Sequence, residues 1–226
     1  MHYFYEQAKD SRWTASGPAV SGIAQTMAGA TAFSQGAVPS LPTVSTNGAC
    51  QGISMWWIIK RALGDDFWTW FGASSTAAAS STRPYANAGE PAKEIKDVMH
   101  LQSSAKLSRK NNHEAAANYI LSRTAPHLVK KRGLMLRRNI GFKMLGYEVT
   151  AAKGYAFIGF SKSGWGGHAV AAHVCGDGSV EFMDPNFGEW SCPDYKSFYG
   201  VLGWLGGQYG MAKLDTVEVQ TLQRPG

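Results

Sequence analysis

Three residues of this chain have the types and the order needed for nucleophilic catalysis: Cys50, His168 and Asp184. Cys50 stands at the expected N-terminus of an apolar helix, where the helix dipole and free backbone N–H groups favour a thiolate. His168 and Asp184 are sixteen residues apart and flank a Gly-Asp-Gly sequence. The three residue types divide the work as nucleophile, general base and acid, and orienting group for the imidazole. The pattern indicates covalent catalysis by a thiol.

A β-hairpin is predicted to bring His168 and Asp184 together. Gly176, Asp177 and Gly178 accept the positive φ of a tight turn, so the flanking strands should pair antiparallel. His168 then falls opposite residues 185 to 187, within reach of Asp184. A slip of one residue would turn the histidine to the other face of the sheet, so the site depends on this register.

The elements that must position these residues follow from local patterns. The helix that begins with Cys50 is apolar or small on nearly every face as far as Leu63, and Gly64 follows in the position of a C-cap glycine. Thr46 or Asn47 could cap its start. Helical spacing predicts further helices within residues 90–104, 113–125 and 193–206, and β-rich runs predict strands within residues 155–161, 168–174, 179–184 and 215–222.

Helices come first in this order, and antiparallel strands with one late helix follow, which is an α+β plan. Residues 1–44 are rich in Ala, Ser, Gly and Thr without a sustained period, and we predict a flexible leader there. An ordered coil wrapped around the domain is the alternative. Residues 45–226 are predicted to form the catalytic domain.

Composition restricts the class of protein further. Three cysteines do not describe a disulfide scaffold, so we interpret them as reduced thiols in a cytosolic setting. The N-terminus lacks the apolar stretch of an export signal, and no run reaches the roughly 18 apolar residues of a membrane span. The net charge of +6 favours acidic partners only weakly. The basic run 130–143 is interpreted as a solvated edge, with an anionic contact as the alternative.

The motifs around these residues resemble the YopT/AvrPphB-type cysteine proteases of bacterial effectors, peptidase family C58. The resemblance rests on Gly48-Ala49-Cys50 before a helix with Trp56 and Trp57, on Gly167-His168-Ala169-Val170, and above all on the segment 182–189, FMDPNFGE. It covers roughly residues 45–210. It implies a papain-like cysteine protease fold, with N-terminal helices packed on an antiparallel β-sheet, and a Cys50, His168 and Asp184 triad.

The resemblance also implies a biological setting. We expect an effector or toxin that is made in the bacterial cytoplasm, is secreted without a cleavable signal peptide, and cleaves a protein in the cytosol of a target cell. The substrate would be a small GTPase, a kinase or a protein of a prey bacterium, and an immunity protein or a secretion chaperone would be a further partner. No cofactor, metal, nucleic acid or integral membrane segment is expected.

The oxyanion hole departs from the papain-like pattern. Such proteases place a side-chain amide a few residues before the nucleophile, and an offset of five residues falls on Ser45. Asn47 is the nearest upstream amide, while Gln51 lies just past the cysteine. We predict Asn47 as the donor, with a hole built mainly from backbone N–H groups as the alternative.

Other functions share parts of this pattern. A double-glycine leader peptidase of the C39 type, a peptidoglycan hydrolase of the NlpC/P60 or CHAP type, an acyltransferase and a transglutaminase-like enzyme all use the same Cys-His order. An inactive interaction module could keep the fold. A zinc site in a binding module would draw on His168, His173, Cys175 and Cys192, but their spacing matches none of the common ligand patterns.

Overall fold

The computed structural model of the chain describes residues 31–32, 50–71, 93–94, 97–98, 112–163, 166–185 and 187–226. Five helices have described bounds: α1 (Cys50–Leu63), α2 (Phe67–Phe71), α3 (Asn112–Thr124), α4 (Phe142–Ala152) and α5 (Tyr195–Gln208). The strands are β1 (Thr31–Ala32), β2 (Val129–Ile140), β3 (Gly154–Lys162), β4 (Gly166–Val174), β5 (Val180–Asp184), β6 (Gly188–Cys192) and β7 (Leu214–Gln223). In these ranges no helix is long and apolar enough to cross a membrane.

The seven described strands form one sheet in the order β1-β6-β5-β4-β3-β7-β2, and every neighbouring pair is antiparallel. The central strands β3, β4 and β5 are buried nearly throughout. Continuous burial of this kind requires cover on both faces of the sheet, because successive side chains point to opposite sides. The predicted α+β class with helices on an antiparallel sheet is confirmed.

Each face of the sheet carries its own hydrophobic core. One core joins α1, α2 and α3 to residues such as Tyr155, Phe157 and Ala171. The other joins α4 and α5 to the alternate residues of the same strands, such as Ala156, Ile158 and Ala172. The sheet therefore lies between two layers of helices. Alternate residues along each strand face opposite helical layers.

The helix that begins at Cys50 has the predicted bounds. Gly64 follows it with φ +83°. Its N–H donates to the carbonyl of Arg61 at 3.2 Å, and the N–H of Asp65 donates to the carbonyl of Lys60 at 2.9 Å. These are the two hydrogen bonds of a Schellman motif, which ends a helix where glycine can adopt a left-handed conformation.

Two elements were missed from the sequence. The basic run is β2, an edge strand whose charged side chains face solvent, as expected for an edge that resists pairing with other chains. The helix α4 follows it directly. Its buried positions Phe142, Leu145, Gly146, Val149 and Thr150 have the i, i+3, i+4, i+7, i+8 spacing of an amphipathic helix. That signal was present in the sequence, and the neighbouring charge run obscured it.

The N-terminal predictions fall largely outside the described residues. Within the predicted leader, Thr31 and Ala32 pair with β6, while Thr46 and Asn47 lie outside the described part. The described residues of the predicted helix 90–104, which are 93–94 and 97–98, are helical. A boundary at residue 44 stays a prediction.

Candidate active site

The β4–β5 hairpin sets the relative position of His168 and Asp184. Cys175 and Ser179 close its turn through a 2.9 Å backbone hydrogen bond, and Gly178 has φ +88°. The strands pair Ala172 with Phe182, and both His168 and Asp184 lie an even number of residues from that pair. Directly opposed residues share a face and even steps preserve it, so both side chains point to the same side of the sheet.

The imidazole and the carboxylate are hydrogen-bonded and buried. Nε2 of His168 lies 3.0 Å from Oδ1 of Asp184. The side chains are 3% and 0% exposed. Because Nε2 faces the carboxylate, Nδ1 is the ring nitrogen left to face a nucleophile. Phe160 lies directly opposite His168 on β3 and packs edge-on against its ring, with the centroids 5.5 Å apart.

Tyr209, which follows α5, adds a second hydrogen-bond donor to the carboxylate. Its Oη donates to Asp184 Oδ1 and Oδ2, at 3.0 and 2.8 Å. Its ring also packs against the imidazole of His168, with the centroids 5.4 Å apart. Tyr209 was not predicted from the sequence, because no local pattern relates a residue at the end of one helix to a strand residue 25 positions earlier.

The first turn of α1 brings Cys50 to the same place. The hydroxyl of Ser54 donates to the carbonyl of Ala169 at 3.0 Å, which fixes this end of the helix against β4. The thiol of Cys50 is hydrogen-bonded to the side chain of His168 and to the backbone N–H of Ala169. The structure therefore brings together Cys50, His168 and Asp184, three residues that are far apart in the sequence.

The charges of this cluster favour a thiolate and an imidazolium. Burial alone would raise the pKa of Cys50, but the positive charge of His168 and the hydrogen bonds from His168 and Ala169 outweigh it, so the pKa is lowered. Burial alone would lower the pKa of His168, but the negative charges of Asp184 and Cys50 raise it to about 10. Both shifts favour the ionic form of the pair over the neutral form.

The other two cysteines have the opposite electrostatics. Burial raises the pKa of Cys175, and the charges of Glu181 and Asp177 add to that effect. Burial raises the pKa of Cys192 strongly. Cys192 packs in the core on the α4 and α5 side, while His173 stacks on Tyr155 on the opposite side of the sheet. The four residues considered from the sequence as a zinc site therefore do not converge.

A buried ion pair joins α1 to the strand that follows Asp184. Arg61 forms short ion-pair contacts with Glu189 and lies 3.0 Å from a carboxylate oxygen of Glu181. The indole N–H of Trp68 donates to Glu189 at 2.6 Å. Glu189, the last residue of the FMDPNFGE segment, thus anchors the helix that carries Cys50.

The predicted oxyanion donor Asn47 lies outside the described residues, as does Ser45. Gln51 is buried in the first turn of α1.

A known protein family matches most of this chain. Residues 23–216 match the model of the Peptidase_C58 family, which is described as Yersinia/Haemophilus virulence surface antigen. The chain belongs to this family. The resemblance inferred from the motifs is confirmed, and membership of the C58 peptidases supports cysteine peptidase chemistry. No curated protein matches the chain.

Comparison with solved structures supports a papain-like fold for this C58 chain through AvrPphB, and it finds more distant matches. The avirulence protein AvrPphB of Pseudomonas is 17% identical with a TM-score of 0.55, and the match covers 78% of this chain and 92% of AvrPphB. PatoxP, a cysteine protease-like domain of the Photorhabdus asymbiotica toxin PaTox, is 12% identical with a TM-score of 0.48, over 98% of this chain and 57% of PatoxP. The YopT domain of the Pasteurella multocida PfhB2 toxin is 18% identical with a TM-score of 0.28, over 73% of this chain and 78% of the domain.

Proposed function

We propose that this C58 family member is a cysteine endopeptidase that uses Cys50 as nucleophile, His168 as general acid and base, and Asp184 to orient the imidazole. The observation that carries the proposal is the hydrogen-bonded series from the Cys50 thiol through His168 to Asp184 at the N-terminus of a buried helix. A buried histidine held between a thiol and a carboxylate is the arrangement that nucleophilic catalysis requires.

In the first half of the reaction the Cys50 thiolate attacks the carbonyl carbon of the scissile peptide bond. The resulting oxyanion needs donors about 3 Å away, and we assign this role to backbone N–H groups of the first turn of α1, with Asn47 as the side-chain donor. The His168 imidazolium then gives its proton to the leaving nitrogen. The C–N bond breaks, the new amino terminus departs, and an acyl-thioester on Cys50 remains.

In the second half, His168 is neutral and accepts a proton from water. The hydroxide attacks the thioester carbon, the C–S bond breaks, and the carboxylic acid product leaves. Cys50 and His168 return to the thiolate and imidazolium pair. Asp184 keeps Nε2 of the ring occupied in both halves, so that Nδ1 stays directed at the reacting atoms.

The proposed biological setting draws on the family. Its description as a virulence surface antigen supports an effector or toxin. We propose that this protein is made in the bacterial cytoplasm, is secreted without a cleavable signal peptide, and acts in the cytosol of a target cell. A small GTPase, a kinase or a prey-bacterium protein is the proposed substrate. A secretion chaperone or an immunity protein would be a further partner.

Mapping of new protein N-termini tests this proposal. The purified chain is added to lysates of eukaryotic cells and of competing bacteria, beside Cys50→Ser and the control Cys192→Ala, which removes a thiol elsewhere. We expect the unmodified chain and Cys192→Ala to generate the same small set of new N-termini, and Cys50→Ser to generate none. Circular dichroism confirms that each variant is folded.

Two outcomes would contradict the proposal. The same N-termini in the Cys50→Ser sample would place the activity elsewhere. Release of fragments from purified peptidoglycan, without protein cleavage, would favour a hydrolase of the NlpC/P60 type instead.

A further inference from the structure

Three potential metal ligands converge at the turn end of the β4–β5 hairpin, on the side of the sheet opposite His168. They are His173, Cys175 and Glu181, and their donor atoms all lie within 4.8 Å of one another. The hairpin register explains why they meet. His173 pairs directly with Glu181 across the strands, and Cys175 follows two residues after His173 on the same side.

Two of the three donor separations are close to those of a tetrahedral metal centre. Nδ1 of His173 lies 3.0 Å from Oε2 of Glu181 and 3.6 Å from Sγ of Cys175. Zinc binds sulfur at about 2.3 Å and nitrogen or oxygen at about 2.0–2.2 Å, so ligand atoms around a tetrahedral ion are roughly 3.2–3.6 Å apart. Only small side-chain movements are needed to place an ion between the three atoms.

The surrounding residues hold two of these ligands in position. The ring of Tyr155 stacks on the imidazole of His173, with centroids 4.1 Å apart and an interplanar angle of 10°. Arg61 contacts the other carboxylate oxygen of Glu181, Oε1, at 3.0 Å, which leaves Oε2 directed at His173. Outer partners that fix ligand orientation are a regular feature of protein metal sites.

We propose that His173, Cys175 and Glu181 form a binding site for a transition-metal ion of the zinc class. A thiolate, an imidazole and a carboxylate together suit zinc, whereas calcium and magnesium prefer oxygen ligands alone. The cluster is half-buried, so water supplies the fourth ligand. Binding releases the thiol proton of Cys175 to solvent. Nδ1 of His173 binds the metal in the neutral tautomer that carries its proton on Nε2, and bonds to the metal replace the hydrogen bond between Nδ1 and Glu181. The proposal does not depend on the catalytic role of Cys50.

Metal titration tests the site without any activity measurement. Cys50→Ser serves as the parent, because Cys50 and His168 are themselves potential ligands. Zinc chloride is titrated by calorimetry, and cobalt chloride is titrated by absorbance, which reports a cobalt–thiolate charge-transfer band. We expect one ion per chain. Cys175→Ser should remove the band and weaken zinc binding at least about 10-fold, and His173→Gln should weaken it comparably.

His127→Gln in the same parent is the matched control, because this histidine is exposed and lies outside the cluster. It should leave both titrations unchanged. Circular dichroism separates loss of binding from loss of folding, and protection of Cys175 from alkylation by zinc gives a second measure in the parent itself. Zinc binding that survives both Cys175→Ser and His173→Gln, or no binding at about 100 µM zinc, would overturn the proposal.

Discussion

At the scale of single residues, the surroundings set Cys50 apart from the other two cysteines. Cys50 is 8% exposed but has a lowered pKa, because a buried imidazolium and a backbone N–H face its sulfur. Cys175 is better exposed yet has a raised pKa, because burial and two nearby carboxylates disfavour its thiolate. The alkylation rates of the three cysteines should therefore follow the pKa of each thiol rather than its solvent exposure.

Alkylation at low pH tests that order. At about pH 6 an ordinary thiol is less than about 1% ionised, so iodoacetamide with a chelator present should label Cys50 well before Cys175 and Cys192. His168→Ala should shrink the advantage, since the imidazolium is gone while the helix dipole remains. The control His127→Ala should keep it. Peptide mass mapping measures the labelling, and earlier labelling of Cys175 would contradict the predicted thiolate.

Tyr209 is predicted to act as a positioning residue for Asp184. Tyr209→Phe keeps the ring that packs on His168 and removes both hydrogen bonds to the carboxylate. Hydrogen bonds to charged groups contribute about 1.5–3 kcal/mol, so kcat should fall about 10-fold or more with KM nearly unchanged. A peptide around the mapped cleavage site is the substrate for this assay.

Tyr147→Phe is the matched control, because this tyrosine is 62% exposed. It should leave both constants unchanged. Equal kcat for Tyr209→Phe and the unmodified chain would show that Tyr209 has no positioning role.

At the scale of elements, the two ends of α1 connect this helix to the candidate site and to the ion pair. Its first turn holds Cys50 and its last turn holds Arg61, so the position of the helix along β4 affects both the candidate site and the ion pair with Glu189. The Schellman motif at Gly64 fixes where the helix stops. Two glycines with free space around them allow the contribution of that motif to be measured.

Gly64→Ala should lower the free energy of unfolding by about 1 kcal/mol, because a Cβ is strained at φ +83°. Gly141 has φ −79°, and a Cβ there also meets nothing within 4 Å. Gly141→Ala should therefore change the stability by less than about 0.5 kcal/mol. Urea unfolding measures both, and equal losses would show that backbone strain at Gly64 is unimportant.

At the scale of the whole molecule, the proposed catalysis needs two separate parts of the fold to stay in register. Cys50 comes from the helical layer, while His168 and Asp184 come from the sheet. The described contacts that join them include the core under α1, the bond from Ser54 to β4, and the ion pairs of Arg61 with Glu181 and Glu189. The pair with Glu189 is the more buried of the two ion pairs.

Arg61→Ala should destabilise the fold by about 2–3 kcal/mol. The loss falls below the roughly 3–5 kcal/mol of a fully buried pair because the Arg61 side chain is 33% exposed, whereas that of Glu189 is 6% exposed. Burial already raises the pKa of Glu189, and losing Arg61 would raise it further. The folded state then binds a proton more readily than the unfolded state, so the penalty should be smaller at pH 5 than at pH 8.

Lys130→Ala is the comparison, since its partner Glu114 is 57% exposed. It should change the stability by less than about 1 kcal/mol at either pH. Urea unfolding at the two pH values measures the difference, and a pH-independent loss in Arg61→Ala would contradict the assigned role of Glu189.

The sequence alone determined the features that depend on neighbouring residues. The bounds of α1, the turn at Gly178 and the α5 helix follow from periodicity, glycine and capping, which act over a few residues. The hairpin pattern also predicted that His168 meets Asp184, because antiparallel pairing brings together two residues that are only sixteen positions apart.

Only the tertiary structure decided which residues from distant segments share a surface. Tyr209 reaches Asp184, and Arg61 reaches Glu181 and Glu189, because layers of helices close over both faces of one sheet. Packing between layers fixes these contacts, and no pattern within a single segment contains that information. His173, Cys175 and Glu181 share one hairpin, but they meet only in the register that the structure shows, because a slip of one residue would separate them.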